Sequence, residues 1–271
     1  MNIFITGASG YLGSNVIRKL SNFKFFALHH RSPVIDVPSV IPIKIENDKY
    51  ESFFLQNNID SVIHLASNTN RGNDAKYKNS IYQANVELGE RLLKASSRTN
   101  VKKFIYSGSY SQDIFINEPN YYIRSKNLFE TVIKEFENDF DILNMHLGDI
   151  YGPSDSRDKL IPYLLRFENE KFINFSSDGT GPFAPIYIDD IIKEIKSKLN
   201  ESDNAIKYQK IILASEVMTV KKFVVEYKKI RNKNFEEIYQ NKGNNPYSSF
   251  QIINPNKLKS RTQLKEGLRN L

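Results

Sequence analysis

Tyr122 and Lys126 stand four positions apart in the run Tyr122-Ile123-Arg124-Ser125-Lys126. On a helix that spacing puts both side chains on one face, where the ammonium can lower the pKa of the phenol and hold it ready for proton transfer. Such a pair arises by chance in a chain with 15 tyrosines, so its weight comes from its company. One companion is a β-favouring run that ends in hydroxyls, Phe104-Ile105-Tyr106-Ser107-Gly108-Ser109. The other is Thr6-Gly7-Ala8-Ser9-Gly10-Tyr11-Leu12-Gly13, which follows an apolar strand and opens a helix. Glycines at 7, 10 and 13 allow a tight turn, close backbone approach to a diphosphate and close helix packing, and the helix N-terminus turns its N–H groups toward the anion. The spacing is GxxGxxG rather than GxGxxG, and the strand–turn–helix context predicts a dinucleotide as ligand.

The end of the second strand, Leu28-His29-His30-Arg31-Ser32, bears on which dinucleotide. A carboxylate here would bind the ribose 2′-OH of NAD, whereas a 2′-phosphate prefers a cation. The chain offers Arg31 and no acid, which favours NADP(H) over NAD(H); the alternative is a loop cation with no ligand. His64, in Val62-Ile63-His64-Leu65-Ala66, has no second ligand cluster nearby and reads as a structural or cofactor-side residue. Asp189 and Asp190 open a helix, where acids cap and favour the dipole, so no metal site is predicted. With no cysteine in the chain, disulfides, zinc ribbons, Fe–S clusters and a cysteine nucleophile are excluded.

These residues need a scaffold, and the hydrophobic pattern supplies one. After Asn2–Thr6, strands are predicted at Phe25–Leu28, Val40–Ile45, Ser61–Leu65, Lys103–Ser107 and Ile142–Leu147, with helices at Tyr50–Gln56, Ala75–Ser97 and Tyr121–Glu137. Strands alternating with helices of this length imply βαβ units, hence an α/β fold: a Rossmann-type doubly wound parallel sheet covered on both faces. After Tyr151 the rhythm is broken by Pro153, Pro162, the Ser176–Pro182 turn cluster and Pro185. Residues 1–150 are therefore expected to form a dinucleotide-binding domain to which 186–200 return, and 151–185 with 201–271 a small C-terminal α/β substrate-binding lobe.

The composition bounds the rest. At 271 residues, 40% hydrophobic and 25% charged, the chain can bury a large core as one domain or two that share one. Of its net charge of +7, the surplus lies at the end: residues 191–271 carry 17 Lys and Arg against 8 Asp and Glu. Lys221, Lys222, Lys228, Lys229, Arg231 and Lys233 interleave with apolar residues, which reads as a solvated helix face. Attraction to a phosphorylated small substrate is the next reading, and nucleic acid the last. No basic leader precedes an apolar stretch, and no run of about 18 apolar residues occurs. No membrane partner is expected, and the expected location is the cytoplasm.

The whole arrangement resembles the extended short-chain dehydrogenase/reductase family, the sugar-nucleotide epimerases, dehydratases and reductases. The resemblance is carried by TGASGYLGS (6–14), DSVIHLAS (60–67), NVELGERLLKAS (85–96), KKFIYSGS (102–109), YIRSK (122–126), DIYGP (149–153) and IYIDDI (186–191), in the family's order. It implies Ser109, Tyr122 and Lys126 as the catalytic triad. Ser109 would hydrogen-bond the reacting sugar oxygen, Tyr122 act as acid or base, and Lys126 bind the nicotinamide ribose and tune the tyrosine. It places the cofactor against Gly7, Ser9, Gly10, Tyr11, Leu12, Gly13, His30, Arg31, Ile45, Leu65, Ala66, Ser67, Asn85, Tyr122 and Lys126. The stretch from Gly148 to Pro162 is similar to that of a narrower group, which includes CDP-abequose and CDP-paratose synthases and reduces the 4-ketone of nucleotide-linked 6-deoxysugars. That likeness implies a CDP-linked substrate bound by Ser109, Asp149, Arg157 and Lys159, although capping or surface roles for Arg157 and Lys159 stay open. The chain departs from many relatives at Lys44, where an acid near the adenine is usual, and at Asp149, where asparagine is.

The expected activity is NADPH-dependent reduction of a nucleotide-linked 4-keto-6-deoxyhexose in deoxysugar, surface-polysaccharide biosynthesis, with an NAD-retaining 4-epimerase as alternative. A dinucleotide-sensing regulator is disfavoured by the complete triad, and a 4,6-dehydratase by Tyr110-Ser111 where an acidic pair is expected. Helices Ala75–Ser97 and Tyr121–Glu137 resemble the pair that forms the family's dimer interface, so a homodimer is expected.

Overall fold

The computed structural model describes residues 1–29, 32–46, 48–70, 74–115, 117, 120–202, 207–240, 250–251 and 253–271. In chain order the strands are β1 (Asn2–Thr6), β2 (Lys24–Leu28), β3 (Val40–Ile43), β4 (Ser61–His64), β5 (Lys103–Ser109), β6 (Asp141–Leu147), β7 (Asp149–Tyr151), β8 (Phe172–Phe175), β9 (Pro182–Phe183), β10 (Pro185–Tyr187), β11 (Tyr208–Leu213), β12 (Met218–Thr219), β13 (Glu236–Tyr239) and β14 (Leu258–Lys259). Eight of them form one sheet in the order β14-β11-β6-β5-β4-β1-β2-β3. The pairs from β5 through β4, β1 and β2 to β3 are all parallel. Because helices cover a parallel sheet on both faces, its central strands read as apolar runs rather than alternations. Ile3, Phe4 and Ile5 of β1 are all fully buried, and every residue of β5 is buried.

The chain lays β2 and β3 on one side of β1, then crosses to lay β4, β5 and β6 on the other. This reversal opens a crevice at the C-terminal ends of β1 and β4, the usual ligand position in such sheets. The differences from the predicted bounds have local causes. β3 stops at Ile43 rather than Ile45 because β2 ends at its partner Leu28. The helix predicted over Ala75–Ser97 is built in pieces: a 3₁₀ turn at Ala75–Tyr77, helix Lys78–Tyr82, a wider π turn at Gln83–Glu87 and helix Leu88–Ser97. The helix predicted to reach Glu137 ends at Lys134.

The chain divides into two compact units. Residues 1–112, 120–146 and 192–211 form the first. Its core gathers Phe4, Phe54, Leu92, Phe104, Phe129 and Phe140. Residues 113–119, 147–191 and 212–271 form the second. There β7 pairs with β10, β8 with β13 and β9 with β12, and helices Leu160–Phe167, Val220–Arg231 and Leu264–Arg269 pack about Tyr151, Leu164, Phe183, Phe223, Tyr227 and Leu268. The helix Ile188–Asn200 starts in the second unit and ends in the first. In its first turn stands Asp190. Its buried carboxylate accepts the amides of Arg261 and Thr262, both at 2.8 Å, and ties down the C-terminal segment.

Candidate active site

The glycine loop is shaped by contacts that admit no side chain. Gly7 has φ +72°, and a Cβ there would lie 2.7 Å from the amide nitrogen of Ala66; one on Gly13 would lie 2.2 Å from the carbonyl oxygen of Gly7. The turn is thereby drawn against the chain leaving β4, on the crevice named above. Helix Tyr11–Lys19 follows with Gly10 as N-cap, no side-chain cap and no acid in its first turn. A helix start that its own side chains do not satisfy suits a diphosphate, whose charge the helix dipole favours. Leu12 faces the core, whereas Ser9 is exposed.

Thr6 and His64 lock the two strands under this loop. The Thr6 hydroxyl lies 2.7 Å from His64 Nδ1 and accepts the amide of Ala66 at 3.1 Å, while the amide of Leu65 donates to the Thr6 carbonyl at 3.3 Å. His64 is fully buried and stacks on Tyr106. Burial, with the nearby Lys126 charge second, pushes its pKa down to about 3. It stays a neutral imidazole through ordinary pH and acts as a packing residue.

Asn85 joins the loop after β4 to the helix that carries Tyr122 and Lys126. Its side chain accepts from the Asn68 amide (2.7 Å) and the Ser67 hydroxyl (3.1 Å), and donates to the Asn68 carbonyl and the Ser125 hydroxyl, both at 3.0 Å. It sits in the π turn, whose extra residue aims the amide inward. The Tyr122 helix is itself started by Asn120, which is fully buried and accepts the Ile123 amide at 2.9 Å. Asn120 was not singled out from the sequence, yet an asparagine two positions before Tyr122 is the ordinary signal of a helix start.

Tyr122 and Lys126 are 7% and 2% exposed, one helical turn apart. Lys126 Nζ donates to the Ser107 carbonyl at 2.9 Å and lies 4.9 Å from the Tyr106 ring centre and 5.8 Å from that of Tyr122. Burial lowers its pKa to about 7. A buried ammonium with one carbonyl acceptor has hydrogen-bonding capacity for a polar ligand. Ser109 closes β5, 5% exposed, its Oγ accepting the Ser111 amide at 3.3 Å. The glycine cradle, the uncapped helix and this ammonium fit a dinucleotide with a ribose near Lys126.

Asp149, Arg157 and Lys159 belong to the second unit. The Asp149 carboxylate accepts the Ala184 amide at 2.9 Å, which holds β7 beside β10. Arg157 makes a two-pronged pair with Asp155, both bonds 2.8 Å, and donates to the Ile150 carbonyl at 2.7 Å. Lys159 is the N-cap residue of helix Leu160–Phe167. Ile45 packs on the first core. His30 and Arg31 lie outside the described residues.

Residues 3–214 match the NAD dependent epimerase/dehydratase family. Among curated proteins the chain is 27% identical over 217 residues to CDP-abequose synthase of Salmonella muenchen, covering 76% of this chain and 72% of that one. It is 22% identical over 253 residues to UDP-glucose 4-epimerase of Bacillus subtilis, covering 74% and 75%. Among solved structures, the UDP-glucose 4-epimerase of Thermotoga maritima with UDP-glucose superposes with a TM-score of 0.81 at 19% identity, over 100% of this chain and 97% of that one. UDP-glucuronic acid 4-epimerase from Bacillus cereus, in complex with UDP-glucuronic acid and NAD, gives 0.77 at 19%, with the same coverage. On a match that runs through the glycine loop, the Tyr122 helix and most of the sheet, the chain belongs to the NAD dependent epimerase/dehydratase family.

Proposed function

We propose that this protein reduces the 4-keto group of a nucleotide-diphosphate-linked 4-keto-6-deoxyhexose with NADPH. The observation that carries the proposal is the buried Lys126 ammonium set one turn from Tyr122, beside the hydroxyl-bearing end of β5. The likeness to CDP-abequose synthase supports a deoxysugar nucleotide as substrate, CDP-linked by preference. When bound, the dinucleotide supplies the hydride. Tyr122 gives its phenolic proton to the oxygen that becomes the C4 hydroxyl. The positive charge of Lys126 then stabilises the phenolate left behind, which lowers the cost of that transfer. Ser109 accepts a backbone N–H at its Oγ, and its own O–H would be the donor to the substrate oxygen.

In this reading the first unit holds the dinucleotide, with Arg31 on the 2′-phosphate, and the second holds the sugar nucleotide through Asp149, Arg157 and Lys159. The Asp155 fork fixes the plane of the Arg157 guanidinium. The protein works in the cytoplasm as a homodimer. An NAD-retaining 4-epimerase would use the same three side chains. The test is a panel of CDP-, dTDP-, GDP- and UDP-linked 4-keto-6-deoxyhexoses, assayed for NADPH oxidation. One NADPH consumed per sugar is expected; failure with every member, alongside interconversion of UDP-hexoses by bound NAD⁺, would replace the reductase by the epimerase.

A further inference from the structure

Ser109 is held by a side chain from the turn that follows it. Its amide donates to Gln112 Oε1 at 2.9 Å. Gln112 is held in turn, because its Nε2 donates to Glu130 Oε2 at 3.0 Å. That second bond decides which end of the amide meets Ser109. Flipped, the group would set its NH₂ against the Ser109 N–H and its carbonyl against a carboxylate, losing both bonds.

Glu130 belongs to the Tyr121–Lys134 helix, one turn beyond Lys126. Its Oε1 accepts Lys210 Nζ at 3.0 Å, and the ring Nε2 of His146, a fully buried residue, lies 3.3 Å from Oε2. Gly108 leaves space for that imidazole: a Cβ at 108 would lie 2.6 Å from its Cδ2. The carboxylate side chain is only 14% exposed. Burial alone would raise its pKa, but hydrogen bonds and charge from His146 and Lys210 outweigh this and hold it down at about 2. It is therefore an acceptor at every working pH.

We propose that Gln112 and Glu130 are positioning residues: the anchored Glu130 carboxylate orients the Gln112 amide, and that amide fixes Ser109 at the end of β5. The functional consequence rests on the role given to Ser109 in the proposed reduction. One helix then sets the whole reacting constellation, Tyr122 and Lys126 directly and Ser109 through Glu130 and Gln112.

Gln112→Met keeps the side-chain length and deletes both bonds. Hydrogen exchange of the Ser109 amide should accelerate while that of Ile105, in the middle of β5, stays slow. Turnover should fall roughly 10- to 100-fold with KM and NADPH affinity unchanged, as for a misplaced reacting group. In a Ser109→Ala background the same substitution should cost nothing further, since it acts through Ser109. Equal losses in both backgrounds, or exchange that accelerates along all of β5, would show a merely structural glutamine and overturn the proposal. If the unmodified protein turns over no member of the panel, the reductase reading fails by itself and exchange decides the positioning role: an unchanged Ser109 amide overturns it. Should Gln112→Met not fold, Glu130→Met, which deletes the acceptor of the Gln112 amide, is read in the same way, with faster Ser109 exchange expected and unchanged exchange overturning the relay.

Discussion

Lys126 shows what the site costs the fold. Its ammonium is buried with a single carbonyl acceptor among the described residues, and burial lowers its pKa from the ordinary lysine value to about 7. Below about pH 7 the folded and unfolded chains both carry the proton, and the full penalty of a buried charge weighs on the fold. Between there and the ordinary lysine range the unfolded chain binds more protons than the folded one, so stability rises with pH. Lys126→Met removes the charge, and replacing buried ionic groups by apolar ones is often stabilising, by about 1–4 kcal/mol. The variant should melt higher than the unmodified protein at pH 6 and lose that advantage steadily as the pH is raised past 7, while losing the proposed reductase activity. Thermal denaturation of the two proteins without cofactor across that range checks it, and a variant that melts lower at pH 6 would show that Lys126 is not a strained charge. The Tyr122–Lys126 spacing was legible in the sequence because helical geometry makes it local. The relay of Gln112, Glu130, His146 and Lys210 was not, because its members come from four separate stretches that only the folded sheet assembles.

At the level of elements, the sheet was legible and its fastenings were not. Parallel strands covered on both faces leave continuous apolar runs, and β1, β2, β4, β5 and β6 each fall within a residue or two of where those runs stand. The π turn around Asn85 leaves no such mark, since its extra residue only shifts the phase between two short helical patterns that read as one helix. Its effect is structural: it points one amide at both the loop after β4 and the Tyr122 helix. Asn85 is 1% exposed, and Asn85→Ala would strand the polar partners on both elements. With several buried bonds lost and their partners left unsatisfied, the fold should lose about 2–4 kcal/mol. At roughly 2–4 °C per kcal/mol for a chain of this size, the melting temperature should drop by about 5–15 °C. A fall of only a degree or so would mean that the helix and loop are held by packing alone.

Over the whole molecule, the net charge and the cofactor cycle decide what the protein exchanges with its surroundings. The basic helix Val220–Arg231 is largely neutralised within its own unit: Lys222 pairs with Glu216 and Lys228 with Glu237, both at 2.6 Å, Lys229 with Glu226 at 3.0 Å, and Arg231 with Glu168 at 3.0 Å. Charges answered locally in this way favour the solvated helix face over a nucleic-acid surface. The exchange that matters is then that of small anions, and the two candidate activities differ in it. An epimerase removes a hydride from C4 and returns it to the other face, so its dinucleotide must stay bound between turnovers. A reductase spends the hydride, and the oxidised dinucleotide must leave before the next cycle. An arginine at position 31 in place of an acid favours a 2′-phosphorylated dinucleotide, the form drawn from an exchangeable reducing pool. The purified protein should therefore lose its dinucleotide on dialysis, and titration should show NADPH bound more tightly than NADH. Arg31→Asp should reverse that preference, at a cost to NADPH of about 1.5–3 kcal/mol for one charge-assisted contact. Dinucleotide that survives dialysis as NAD⁺, with NADH preferred and no NADPH consumed, would mean that the same serine, tyrosine and lysine serve a closed cycle on this fold.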